Sequence, residues 1–226
     1  MTGHDSSSFQ QHSLSRLGVV ILAAGASSRM GQPKLLLTWN TTTVLGHLIG
    51  QWQSLDARQI AVVCSADDKI VDGELDRLGF PCANRIPNPE PDRGMFSSIQ
   101  SAARWRGWAG PLTHWAIVLG DQPHLRLETL RALLGFAALH SDRICQPARN
   151  GHPRHPVVLP KAIFERLKDS SEGTLQQFLR NHAAAVALCE LDDSGLDLDL
   201  DTPADYAEAL RRFQASSDGA TTARRE

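Results

Sequence analysis

Four short stretches hold the side chains of this chain that can do chemistry on a phosphate. The first, residues 22–34, reads LAAGASSRMGQPK. After Leu22, Ala23, Ala24, Gly25 and Ala26 end an apolar run with little side-chain bulk, so backbone N–H groups can turn toward an anion. Ser27 and Ser28 add hydroxyl donors. Arg29 and Lys34 add the positive charge a triphosphate requires, arginine as a bidentate fork and lysine as a movable point charge. A solvated turn with two surface cations would carry the same residues. The second stretch, 88–99, reads NPEPDRGMFSSI. Gly94 precedes a helical pattern whose first turn holds Ser97 and Ser98. Free N–H groups at a helix start suit an anion or a polar base edge, and ordinary capping uses the same residues. The third, LGDQP at 119–123, sets Asp121 directly after an apolar run. A carboxylate there can hold Mg²⁺ and so reach phosphates, or can simply make an Asx turn. The fourth, LDLDTP at 198–203, alternates Asp199 and Asp201 so that both can face one side of a short strand. Acidic residues before a helix are also favoured by its dipole. Asp201 is read here as support for the turn at Thr202.

Two carboxylates and two cations suit transfer at phosphorus, where catalysis is positioning and charge neutralisation and no side-chain nucleophile is needed. Neither of the common glycine-rich phosphate loops, G-x-x-x-x-G-K-[ST] or G-x-G-x-x-G, is present.

The elements that must position these stretches follow from hydrophobic patterning. Apolar runs at 17–23, 59–65, 80–86, 114–119, 143–148, 156–159 and 184–191 read as strands. Helical spacing marks 44–55, 70–78, 96–105, 127–139, 162–168, 175–181 and 203–213. Thr202 is placed as an N-cap before Pro203, a favourable helix start. Strand–helix alternation with continuously apolar strands predicts an α/β fold, a three-layer, Rossmann-like, mostly parallel sheet with helices on both faces. Such sheets bind ligands beyond the carboxyl ends of their strands, where the four stretches fall. One domain is expected over 16–214, with polar, Ser-rich tails at 1–15 and 215–226 that bury too little apolar surface to order themselves.

The first stretch resembles the LAAGxSxRMGxxK signature of the MobA-like nucleotidyltransferases. The family also has elements similar to GMxxSI, GDQP, GHPV and DxDTPxDY, in this order, so the resemblance covers roughly 17–212. It implies the nucleotide-diphospho-sugar transferase type of fold. It implies Arg29, Lys34 and Asp121 as catalytic residues, and Asp121 and Asp199 as ligands of Mg²⁺. It implies that Leu22, Ala23, Ala24, Gly25, Ser27, Ser65, Asn88, Gly94, Met95 and Ser98 bind the nucleotide. Gln122, Pro123, Arg149, Arg154 and His155 then fall on the acceptor side. The resemblance is nearest to the molybdenum cofactor cytidylyltransferases, and Ala24, where guanylyltransferases tend to have Gly, leans toward CTP. The implied partners are CTP and a molybdopterin-type acceptor, with docking to a molybdenum hydroxylase as a further expectation. One segment departs from the family: G-H-P occurs at 151–153, and Arg154 stands where the family has Gly before His155-Pro156-Val157. That leaves open a sugar or polyol phosphate acceptor such as methylerythritol phosphate; a non-catalytic carrier of finished cofactor is a separate alternative, which the presence of Lys34 and Asp121 disfavours.

Composition sets the outer limits. The 226 residues carry a net charge of −2, so no global basic field exists to hold nucleic acid. No apolar run approaches the ~20 residues that span a membrane. Cys64, Cys82, Cys145 and Cys189 are widely spread, without the close spacing of a zinc site. A cytoplasmic protein with reduced cysteines is expected.

Overall fold

The computed structural model describes residues 14, 16–25, 30 and 32–222, with side chains described through 214. The strands and helices, in chain order, are β1 (Leu17–Leu22), β2 (Thr38–Trp39), β3 (Thr42–Thr43), α1 (Val44–Gln53), β4 (Gln59–Ser65), α2 (Lys69–Arg77), β5 (Arg85–Asn88), α3 (Met95–Arg104), β6 (His114–Leu119), α4 (Leu127–Leu139), β7 (Ile144–Arg149), β8 (His152–Pro153), β9 (Val157–Pro160), α5 (Lys161–Arg166), α6 (Leu175–Asn181), β10 (Val186–Glu190) and α7 (Pro203–Thr222). The main sheet runs β10-β7-β9-β6-β1-β4-β5, with β8 paired to β7. Pairs β1–β4, β1–β6, β4–β5 and β7–β10 are parallel. β9 lies antiparallel between β6 and β7.

Strand alternation divides the core between two faces. Val19, Ile21, Val62 and Val118 point to one side, under Leu45 and Leu48 of α1, Leu75 of α2 and Leu133 of α4. Val20, Ala61, Val63 and Ile117 point to the other, under Phe96 and Ile99 of α3, Phe164 of α5 and Phe178 of α6. Every residue of β1 is buried. Covering a sheet on both sides is what makes its strands read as unbroken apolar runs, and the three-layer architecture expected from the sequence is the one found.

Three local features depart from expectation. The strand expected at 80–86 starts only at Arg85. Pro81 leads into a 3₁₀ turn at Cys82–Asn84, and pairing to β4 begins with Val62 opposite Arg85. Proline has no N–H for a ladder, so the apolar pattern before it is spent on a turn. The hairpin β2–β3 was not foreseen; it turns through Asn40 at φ 53°, a conformation asparagine tolerates. Helix α7 continues to Thr222, past the boundary expected at 214, because extending a formed helix adds a hydrogen bond for each residue fixed. The expected N-terminal tail lies outside the described residues apart from Leu14, which packs on the core. No helix among the described residues is long and apolar enough to cross a membrane.

The carboxyl ends of β1 and β6 meet tightly. Gly120 follows β6, and a Cβ there would stand 2.7 Å from the Leu22 carbonyl oxygen and 2.8 Å from Leu35 Cδ2. A backbone oxygen cannot swing aside as a flexible side chain can. Gly120→Ala is expected to destabilise the fold by about 1–3 kcal/mol, the usual cost of overpacking, read as a lower midpoint in urea unfolding. An unchanged midpoint would mean that the two strand ends separate freely.

Candidate active site

The site lies at that strand edge. Pro33 leads into a 3₁₀ turn at Lys34–Leu36, which buries Leu35 and leaves Lys34 pointing across the end of β6. The Lys34 ammonium lies 2.8 Å from Asp121 Oδ2 and 3.5 Å from Asp201 Oδ1. Both partners are partly shielded from water. The other oxygen of Asp121, Oδ1, is buried and has no hydrogen-bond partner among the described residues. The backbone fixes the arrangement from a third direction: Leu200 N–H donates to the Asp121 carbonyl at 3.1 Å, tying the loop before α7 to the end of β6.

That loop is itself locked. Thr202 N–H and its hydroxyl donate to Asp205 Oδ2 at 2.8 and 2.7 Å, and Asp205 N–H donates back to the Thr202 hydroxyl at 3.2 Å. This is a reciprocal capping box at the start of α7. The turn role expected of Asp201 is therefore filled by Asp205, and Asp201 faces Lys34 instead. Asp199 accepts from Gln122 Nε2 at 2.8 Å, and Asp201 N–H donates to the Asp199 carbonyl at 3.0 Å. His155 stands close enough to feel the charge of both Asp121 and Asp199. Burial outweighs that pull and lowers its pKa, keeping the ring neutral, and its Nδ1 is buried without a partner among the described residues.

A cleft of about 560 Å³ opens beside these groups. Leu22, Ala23, Ala24, Gly25, Ser65, Gly94, Met95 and Ser98, all expected to bind nucleotide, line it together with Lys34 and Asp121. Ala23 N–H donates to the Val63 carbonyl at 2.8 Å, which carries the strand spacing one residue into the loop. Ser27 and Arg29, expected in the same loop, lie outside the described residues. Gly94 caps α3 at φ 83° and ψ −178°, a backbone shape that only glycine adopts readily.

Asn88 stands behind the cleft rather than in its wall. It is buried, donates from Nδ2 to the Ser97 and Ser98 hydroxyls at 2.8 and 2.9 Å, and accepts from Glu90 N–H at 2.9 Å. It shapes the start of α3, and its amide is spent on the protein itself.

On the acceptor side, Gln122 and Pro123 are buried and line neither this cleft nor the one next to it. Gln122 instead holds Asp199. The Gly-His-Pro at 151–153 is a hairpin: Asn150 and Gly151 have φ 52° and 74°, the signature of a two-residue turn, and Arg149 pairs with His152. The second His-Pro, at 155–156, leads into β9 under the site. Arg149 and Arg154 converge on Asp197. Arg154 donates to its Oδ1 from Nε and Nη2 at 2.9 and 2.7 Å, and Arg149 donates to its Oδ2. These bonds, Arg154 first, hold the Asp197 carboxyl below the usual carboxylate range. Asp197 escaped the sequence reading, although it begins the alternation Asp197, Asp199, Asp201.

Among the described residues no three His, Cys, Asp or Glu side chains converge as a ready-made metal site. Magnesium does not need one beside a nucleotide, since one or two carboxylates plus phosphate oxygens and water are its ordinary shell. The unpartnered Asp121 Oδ1 fits that demand.

Over 203 residues the chain is 27% identical to the molybdenum cofactor cytidylyltransferase of Escherichia coli K12, covering 88% of this chain and 98% of that one. It is 26% identical to a probable molybdenum cofactor guanylyltransferase of Bacillus cereus, covering 79% and 83%. A solved nucleotidyl transferase from Methanothermobacter superposes with TM-score 0.72 at 20% identity, over 89% of this chain and 99% of that one, a likeness of fold. The MobA-like NTP transferase domain matches residues 19–186. With that match over most of its length, this chain belongs to the MobA-like NTP transferase family.

Proposed function

We infer that the chain transfers CMP from CTP to the terminal phosphate of a molybdenum-bearing molybdopterin, forming the cytosine dinucleotide and releasing pyrophosphate. A single observation carries this reading: Lys34, Asp121 and Asp201 meet at the mouth of the nucleotide-sized cleft, with one Asp121 oxygen left without a partner. The cytidylyl branch is supported by Ala24 in the cleft wall and by the near full-length likeness to a cytidylyltransferase.

In this mechanism an acceptor phosphate oxygen attacks the α-phosphorus of CTP. The new P–O bond forms as the bond to the bridging oxygen of the β-phosphate breaks, and pyrophosphate leaves with that electron pair. Asp121 and Asp199 would hold Mg²⁺, which when bound offsets phosphate charge. Lys34 turns its ammonium from the carboxylates to the phosphates, and Arg29 adds a second positive charge to the leaving group. Gln122 keeps Asp199 in place. Neutral His155 closes the floor of the site without adding charge.

The direct test is pyrophosphate release with Mg²⁺, offering CTP, GTP, ATP and UTP against molybdenum-loaded molybdopterin and against methylerythritol phosphate. Release with CTP and the pterin is expected. Release with another nucleotide, or with the polyol phosphate alone, moves the branch; silence with both acceptors despite tight CTP binding favours a carrier. Asp121→Ala should lower kcat at least about a hundredfold with the urea midpoint retained, and normal turnover would sink the metal assignment. Lys34→Ala should slow the single-turnover rate by about 10²–10³-fold while CTP affinity changes far less, and an unchanged rate would remove Lys34 from the chemistry. Asp199→Asn should raise the Mg²⁺ concentration needed for half-maximal rate more than Asp201→Asn does. The reverse order would transfer the ligand role to Asp201.

A further inference from the structure

A second cleft, of about 730 Å³, lies beside the first, and Met95 at the start of α3 lines both. The two differ in charge. The described wall of the first cleft carries Asp67, Asp68, Asp92 and Asp121 against Lys34. The wall of the second carries Arg154 and Arg180 beside the neutral His155, and no Asp or Glu among the described residues lines it. Arg154 is already committed to Asp197. Arg180, exposed on α6, forms no salt bridge or side-chain hydrogen bond among the described residues. Beside the two arginines the wall is mostly apolar. Leu175, Leu179, Val186 and Leu188 line it, and Leu188 and Met95 remain 43% and 44% exposed. Large apolar side chains left open inside a concave, acid-free cleft mark a small-molecule surface.

The geometry points to this second cleft as the berth for the body of the acceptor, with Arg180 as a recognition residue that nothing else in the site replaces. The inference rests on the transfer reading above. An acceptor whose phosphate reaches Lys34 and Asp121 would pass Met95 and lay its remainder between α6 and β10. Its class follows from the wall: a phosphate ester whose body has an apolar face to set against Leu179 and Leu188, and an electron-rich or anionic edge to meet Arg180. A flat heterocycle bearing carbonyl or thiolate oxygen and sulfur atoms meets both demands. A short polyol phosphate has no apolar face and leaves the leucines wet.

Binding can be measured without turnover. Equilibrium dialysis of the full chain with molybdenum-loaded molybdopterin, methylerythritol phosphate and CTP, each alone, would compare the native protein with Arg180→Gln. Arg131→Gln, an exposed arginine of α4 outside both clefts, controls for net charge. Loss of one charge-assisted hydrogen bond predicts about tenfold weaker pterin binding in Arg180→Gln. CTP binding should stay within about twofold, and Arg131→Gln should behave as the native protein. Pterin binding by Arg180→Gln equal to native, tighter native binding of the polyol phosphate than of the pterin, or no native pterin binding would each overturn the inference. Native protein that binds the pterin in an Arg180-dependent way yet releases no pyrophosphate would overturn the transfer reading and leave the cleft assignment standing.

Discussion

The contact between the Lys34 ammonium and the Asp121 carboxylate organises the rest of the site. Taken as an isolated, partly exposed ion pair it contributes little to stability. Its importance is placement. Asp121 and Asp201 both approach the same cation, and two carboxylates drawn together without one would repel each other. Lys34 therefore joins three distant pieces of chain: the loop after β1, the end of β6 and the segment before α7. The backbone bond from Leu200 to Asp121 and the Thr202–Asp205 box hold the last piece rigid enough for that shared cation to work.

Much of this was legible in the sequence, and the reasons are physical. A strand buried on both faces has to be apolar throughout, so β1, β4 and β6 announce themselves. Lys34 and Asp121, which meet in the fold, are both picked out by the short motifs that follow β1 and β6. What stayed hidden were the partnerships. The family resemblance implies Asn88 as a nucleotide-binding residue, yet the fold spends that amide on Ser97, Ser98 and Glu90. Asp201 and Asp205 are chemically alike and four residues apart, and only three-dimensional register tells which one caps and which one faces Lys34. Asp197 and Arg180 carry no local signature at all, because their meaning comes from residues far along the chain.

The Gly-His-Pro departure shows the same limit from the other side. Read as a motif, 151–153 looks like a displaced copy of a functional element. In the fold, Asn150 and Gly151 make a hairpin turn, and the repeat is explained by backbone geometry. The substitution that matters chemically is Arg154, which reaches Asp197 together with Arg149 and so binds the β7–β8 hairpin to the segment bearing Asp199. The hairpin and the loop before α7 are thus braced against one another, through a carboxylate that belongs to neither motif.

The distances along the chain have a consequence for biosynthesis. Lys34 and Asp201 are separated by 167 residues, yet they must meet for the site to exist. A nascent chain can pair β1, β4 and β6 and form the mouth of the nucleotide cleft well before Asp199 and Asp201 emerge from the ribosome. During that interval the growing protein offers a phosphate-sized opening with no means of completing a transfer. The late closure over a long loop makes the carboxylate cluster among the last parts to assemble, so a truncated product that ends before Asp199 would lack the Lys34–Asp201 contact even where most of its sheet is formed.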